Sequence, residues 1–176
     1  MKKYLSLFAF AMVAVFSLAF VSCGDDDEDD DYEPSVKGSQ LVINGKTYNV
    51  SYDYEVGVMW LEPPLGSVIQ FCTGKDGMVN CDKIYTFGFV AWDGEKSIEP
   101  RVGLDISKIE FSLNGELLWN FTLTDDDDNE CDYVSGSLVI VAIDKSQESM
   151  TLKFNDLKMS NGRISYTFNG TIKLPF

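Results

Sequence analysis

Ile164-Ser165-Tyr166-Thr167-Phe168-Asn169-Gly170-Thr171-Ile172-Lys173-Leu174-Pro175-Phe176 is the stretch on which the fold turns. Ile164, Tyr166, Phe168, Gly170, Ile172, Leu174 and Phe176 alternate with Ser165, Thr167, Asn169, Thr171 and Lys173. Successive strand side chains point to opposite faces, so one face of this strand is apolar throughout. The same period of two runs back to residue 40, with no helical stripe between.

Four Asn-Gly pairs punctuate the pattern, and Asn-Gly is the strongest short hairpin signal because both residues tolerate positive φ. Parity sorts them. A two-residue turn at Asn44-Gly45 sets Leu41 opposite Tyr48 and extends the apolar face Tyr48, Val50, Tyr52, Tyr54. A turn at Asn161-Gly162 sets Met159 opposite Ile164 and Leu157 opposite Tyr166. Met150, Leu152 and Phe154 have the other parity, so one extra residue at Asn155-Asp156, a β-bulge, restores Phe154 opposite Phe168. A turn at Asn169-Gly170 would flip Ile172, Leu174 and Phe176 outward, so Gly170 is read as a residue inside a long strand, at a bend. Around Asn114-Gly115 an odd loop matches Phe111 with Trp119 and Ile109 with Phe121.

Further strands are expected at 57–62, 66–72, 83–92, 117–123 and 133–143, with turns near Pro63-Pro64, Asp93-Gly94 and Asp144-Lys145. The expectation is an all-β domain over 40–176: an antiparallel β-sandwich of about nine or ten strands, with a closed β-barrel as the alternative. The sandwich is preferred because 83–92 and 133–143 are apolar on both faces (Tyr85, Phe87, Phe89 against Ile84, Val90, Trp92).

The first 39 residues read differently. Lys2 and Lys3 precede an uncharged apolar stretch from Leu5 to Val21, about the minimum for a membrane span, and residues 1–22 are read as a cleaved export signal. Phe20-Val21-Ser22-Cys23-Gly24 resembles a bacterial lipobox, although Phe20 stands where Leu is usual. The resemblance implies that Cys23 becomes the mature N-terminus and carries diacylglycerol on its sulfur. Seven acids follow, Asp25-Asp26-Asp27-Glu28-Asp29-Asp30-Asp31, then Tyr32-Glu33-Pro34. Such a run repels itself and cannot bury apolar area, so 23–39 is read as an extended, solvated tether. Cys23 with this run resembles the surface lipoproteins of Bacteroidota, which implies outer-membrane lipid anchoring with the domain displayed at the cell surface.

Composition closes off several chemistries. The chain of 176 residues has no His, so Ser-His-Asp, Cys-His and His-ligated metal sites are excluded. The net charge of -14 argues against a nucleic-acid partner. Residues 34–176 carry 12 Lys/Arg and 20 Asp/Glu, an ordinary -8 for a soluble domain.

Three features carry candidate sites. Cys72 and Cys81 bracket a loop with two Gly between two strands, close enough in register for the ~5.5 Å Cα separation of a disulfide. Cys131 is then free, or it pairs with one of these and strands the other. The run Asp125, Asp126, Asp127, Asp128, Glu130 and Asp132 offers hard oxygen ligands for Ca²⁺, without the Gly and terminal Glu spacing of an EF-hand; the plainer reading is a solvated loop. Trp60 and Trp92, each near a strand end, are the aromatic candidates for stacking on a sugar, although the plainer reading of both is core placement; Trp119 is placed in the core by parity. Three Asn-X-Ser/Thr sites, at Asn49, Asn120 and Asn169, are read as strand composition.

The expected function is therefore a non-enzymatic, lipid-anchored surface domain that binds a glycan, an envelope or host component, or a protein partner. A structural or assembly subunit is the first alternative, and a glycosidase using two carboxylates the second.

Overall fold

The computed structural model describes residues 39–51, 57–62, 65–74, 81–93, 95–113 and 116–176. Cys23, the acidic run, Tyr52, Tyr54, Pro63-Pro64, Gly94 and Asn114-Gly115 lie outside the described residues. The strands are β1 (Gln40–Ile43), β2 (Lys46–Ser51), β3 (Val58–Met59), β4 (Ser67–Gly74), β5 (Cys81–Phe89), β6 (Phe111–Leu113), β7 (Glu116–Trp119), β8 (Thr122–Asp125), β9 (Glu130–Asp144), β10 (Ser149–Ser160) and β11 (Ser165–Pro175). The all-β class holds, and of the two architectures the closed barrel is the one formed.

The order is β2-β1-β11-β10-β9-β8-β5-β4, all antiparallel, and β2 pairs with β4 to close eight strands into a ring. β3 is an extra strand that pairs with β4 at Val58↔Ile69 and Met59↔Val68, beyond the pairs that β2 makes at Thr73 and Cys72. A sandwich needs two separate sheets, and the β2–β4 seam joins these eight strands into one ring instead.

Eight strands enclose a space about wide enough for side chains to fill. Phe71, Phe87, Phe121, Phe154 and Phe168 are essentially fully buried there. Phe87 on β5 meets Phe168 on the facing wall at 5.3 Å between ring centroids and Phe154 at 5.7 Å, while Phe71 on β4 meets Phe154 at 6.0 Å. Rings from opposite walls in contact mean that the centre is solid. The apolar side faces inward and Lys, Thr and Asn face outward, the reverse of a membrane-spanning barrel.

Local turn chemistry sets most of the register. Asn44 and Gly45 hold φ of 50° and 79°, and Leu41 pairs with Tyr48 as expected. Gly170 lies inside β11 at φ 131°, where a Cβ would come within 2.9 Å of the Gln40 carbonyl oxygen. The bulge at Asn155-Asp156 is present, with Asp156 at φ 45°. Two registers differ from expectation by a slip of two residues, which keeps every side chain on its own face. Leu157 pairs with Phe168, and Phe154 with Gly170. The cause is a longer connection after Ser160, in which Asn161 Oδ1 accepts from the backbone N–H groups of Arg163 (3.0 Å) and Ile164 (2.9 Å).

The stretch 117–123 is two strands, not one. β6 and β7 form a separate two-stranded sheet in which Phe111 pairs with Trp119, and the odd residue is a bulge at Leu118. Trp119 is accordingly not in the core. It is half-buried on the outer side of β5, its Cζ2 4.0 Å from the position of a Cβ on Gly88. β8 covers only the first part of β9, at Thr122↔Asp132 to Thr124↔Glu130. Farther along, Asp105 bridges Val139 and its Oδ1 accepts from the Leu138 N–H (3.2 Å). Ile106, which opens a 3-10 turn (Ile106–Lys108), and Ile109, which caps it, are buried beside β9.

Cys72 and Cys81 are joined in a disulfide with a Cα separation of 5.7 Å, and Cys131 is a buried free thiol. Removing the bridge by Cys72→Ser with Cys81→Ser should cost roughly 2–3 kcal/mol, read by urea unfolding, with the fold kept. A larger response is expected at Gly136, at φ 89°, where a Cβ would lie 2.1 Å from the Asp156 carbonyl oxygen. Gly136→Ala must break the interlock of the β9 and β10 bulges, and should cost about 3 kcal/mol or more in the same assay.

Candidate functional site

The acidic loop is organised around one residue. Asp125 ends β8 with its side chain wholly buried, while Asp126, Asp127 and Asp128 are exposed. Its Oδ1 accepts from the backbone N–H groups of Asn129 (2.9 Å) and Asp127 (3.1 Å), which fold the loop back on the strand. Its Oδ2 accepts from the Tyr166 hydroxyl at 2.5 Å and faces Lys83 Nζ at 3.0 Å. The Asn129 amide donates to both oxygens.

Oxygens of Asp125, Asp126 and Asp127 lie within 4.8 Å of one another, whereas Asp128, Glu130 and Asp132 stand outside that group. Asp128 takes φ 58° at the loop tip, and Glu130 and Asp132 are exposed on β9. The position expected for a divalent ion is held by the Lys83 ammonium, 3.0, 3.5 and 3.5 Å from the three carboxylates. Lys83 thus relieves the repulsion for which Ca²⁺ was invoked. Lys83 and Tyr166 were not singled out in the sequence, since no spacing ties residues 83, 125 and 166 together.

Electrostatics follow the geometry. Burial pushes the Asp125 carboxyl up, but the Tyr166 hydroxyl, the Asn129 N–H and Lys83 outweigh it and hold it well below the ordinary carboxylate range. Burial pulls Lys83 down, and its hydrogen bonds to Tyr166 and Asp125 raise it overall. Burial raises the Cys131 thiol, and Asp125 nearby adds to this, so the thiol stays protonated.

The two tryptophans come to one place. Trp60 Nε1 donates to the Ile98 carbonyl at 2.9 Å, with its ring edge-on to Phe89 at 5.1 Å. Trp92 bridges Ser97, the neighbouring residue. Both are half-buried. Beside them lies an open depression of about 500 Å³ lined by Asp93, Lys96, Ile98, Glu99, Arg101 and Leu104. Trp60 has spent its N–H and ring on packing, which leaves Trp92 as the aromatic next to the depression.

No protein-family model, curated protein or solved structure matches this chain.

Asp125 makes the barrel acid-sensitive with a definite sign. A carboxyl whose folded-state pKa is depressed contributes stability above its unfolded value near 4, and loses it as pH falls toward the folded value. Asp125→Asn should cost roughly 2–3 kcal/mol at pH 7. The gap to the wild type should shrink between pH 4 and pH 2, measured by urea unfolding at each pH.

Proposed function

We propose that this chain is a lipid-anchored, outer-membrane surface lipoprotein whose barrel is a non-enzymatic binding domain, taking a glycan or an envelope or host component on its outer side. The observation that carries the reading is the junction of Cys23 and the acids 25–31 with a barrel whose centre is full of aromatic rings. The first supplies an anchor and a spacer. The second leaves the exterior, and the depression beside Trp92, as the place for a ligand.

Two further features support a binder over the alternatives. Carboxylate-based hydrolysis needs an acid with a raised pKa. Among the described residues the carboxyls that shift, Asp93, Asp125 and Asp144, all shift downward: Asp125 from the bonds already given, Asp93 and Asp144 from hydrogen bonds of adjacent residues. An assembly subunit that works by edge pairing needs a long free edge, and the β2–β4 seam leaves the two-residue β3 as the end strand of the large sheet.

Trypsin on intact cells tests the address, with Lys37 as a cleavage point ahead of the barrel. The barrel should be released from wild-type cells, and a Cys23→Ala variant, which lacks the lipidation site, should keep its barrel out of reach of trypsin on intact cells. Retention of the barrel on intact cells, with release only after lysis, would place it on the periplasmic side and overturn surface display. For the ligand, Trp92→Ala should weaken binding to a glycan identified by array at least tenfold, with the thermal midpoint as the folding control.

A further inference from the structure

The outer surface is divided by charge in a way that the overall -8 conceals. Residues 39–51 and 145–176, which supply β1, β2, β10 and β11, hold six Lys/Arg and two Asp/Glu, a net of +4. Residues 52–144, which supply β3 to β9, hold five Lys/Arg and eighteen Asp/Glu, a net of -13. β2, β1, β11 and β10 are consecutive in the ring, so the basic residues gather on one side.

Within that side the cations form a row. Thr151 pairs with Lys173 and Lys153 with Thr171, which sets Lys153 and Lys173 as diagonal neighbours on the outer face, about 7–8 Å apart. Lys158 follows Lys153 five residues along β10, about 13–17 Å away across the bulge, given ~3.3 Å per residue. Arg163 is exposed in the loop beyond. Among the described residues every ion pair belongs to Lys83, and the side chains of Lys153, Lys158 and Arg163 have no hydrogen-bond partner; Lys173 donates to Gln147. Thr151, Thr167 and Thr171 lie between the cations, each on the outer face. Two acids lie at the strip: Asp156, engaged by the Asn169 amide at 2.9 Å, and Asp144 at its end, whose carboxyl is lowered by the Ser146 hydroxyl and in part by Lys173.

We propose that this strip on β10 and β11 binds a linear acidic polysaccharide, whose carboxylate or sulfate groups pair in file with Lys153, Lys158, Lys173 and Arg163. A rigid ladder spaces the charges, and the threonine hydroxyls between them suit sugar hydroxyls. A narrow polyanion can lie along the strip without meeting the acidic side of the barrel. An extended anionic bilayer fits less well, because a broad surface also meets the net -13 carried by residues 52–144. The proposal rests on the reading of the barrel as a binding domain and adds a site for an acidic polymer on β10 and β11, apart from the depression beside Trp92.

The test is calorimetric titration of the full chain in neutral detergent micelles with polygalacturonate and with chondroitin sulfate at 50 mM salt, with dextran as the uncharged control. Binding of an acidic polymer is expected, lost by 500 mM salt. K153E/K158E/K173E should weaken it at least tenfold, and K108E, on the acidic side and outside the depression beside Trp92, less than twofold. Thermal melts check folding, and the milder K153Q/K158Q/K173Q variant should weaken binding in the same direction. Absence of binding to both polymers, or equal loss in the two charge-reversal variants, overturns the proposal. Binding to phosphatidylglycerol vesicles that needs the three lysines, without polymer binding, overturns it too and gives the strip to the membrane. None of these titrations depends on where the protein resides, so their failure leaves the trypsin result on intact cells to stand or fall separately.

Discussion

Three residue pairs, Asn49↔Gly74, Val50↔Thr73 and Ser51↔Cys72, hold the barrel shut. Without them the same strands form an open sheet with β2 at one edge and a bare stretch of β4 at the other. Closure also sets what the aromatic residues can do. Phe87 reaches Phe168 and Phe154 only because β5 is folded round to face β11 and β10. Burying a Phe contributes about 2–3 kcal/mol and an aromatic pair about 1 kcal/mol more, so the seam and the filling depend on each other. The disulfide belongs to this arrangement. Cys72 sits at the seam and Cys81 begins β5 opposite Gly74, so the bridge ties the closing strand to its neighbour where the ring is joined.

Parity made the strand faces legible and left two things out of reach. It distinguishes registers that differ by one residue, because that flips a strand, but is blind to a slip of two. Asn44-Gly45, the bulge at Asn155-Asp156 and Gly170 are cases of the first kind, and Leu157 opposite Phe168 is the second. Parity is equally blind to which sheet a matched pair joins. Phe111 and Trp119 do pair, yet in a small separate sheet, with the indole lying over Gly88 outside the barrel. The choice between sandwich and barrel is of the same sort. The apolar residues on both faces of 83–92 suggested a covered central strand. In fact β5 stops at Phe89, and Val90 and Ala91 are buried beyond its end.

The acidic loop was visible as composition, and its internal differences were not. Asp125 is set apart from Asp126, Asp127 and Asp128 by its position at the end of β8, where Lys83 and Tyr166 arrive from strands 42 and 41 residues away. A run of identical residues carries no mark of which member is buried. The lysine that neutralises it reads in the sequence as an ordinary strand residue, so an ion was the natural expectation there.

The same topology explains why the charge of the surface could not be read from the net charge. Strands β1 and β2 begin the domain and β10 and β11 end it, yet β1 pairs with β11. Lys46 and the cations between 145 and 173 therefore fall on one side, while the acids of the middle of the chain fall on the other. Most large apolar side chains of the strands are committed to the centre, and charge divides the exterior that remains. A barrel of this kind offers a repulsive side and an attractive side to any charged partner, and the meeting of its first and last strands determines which side is which.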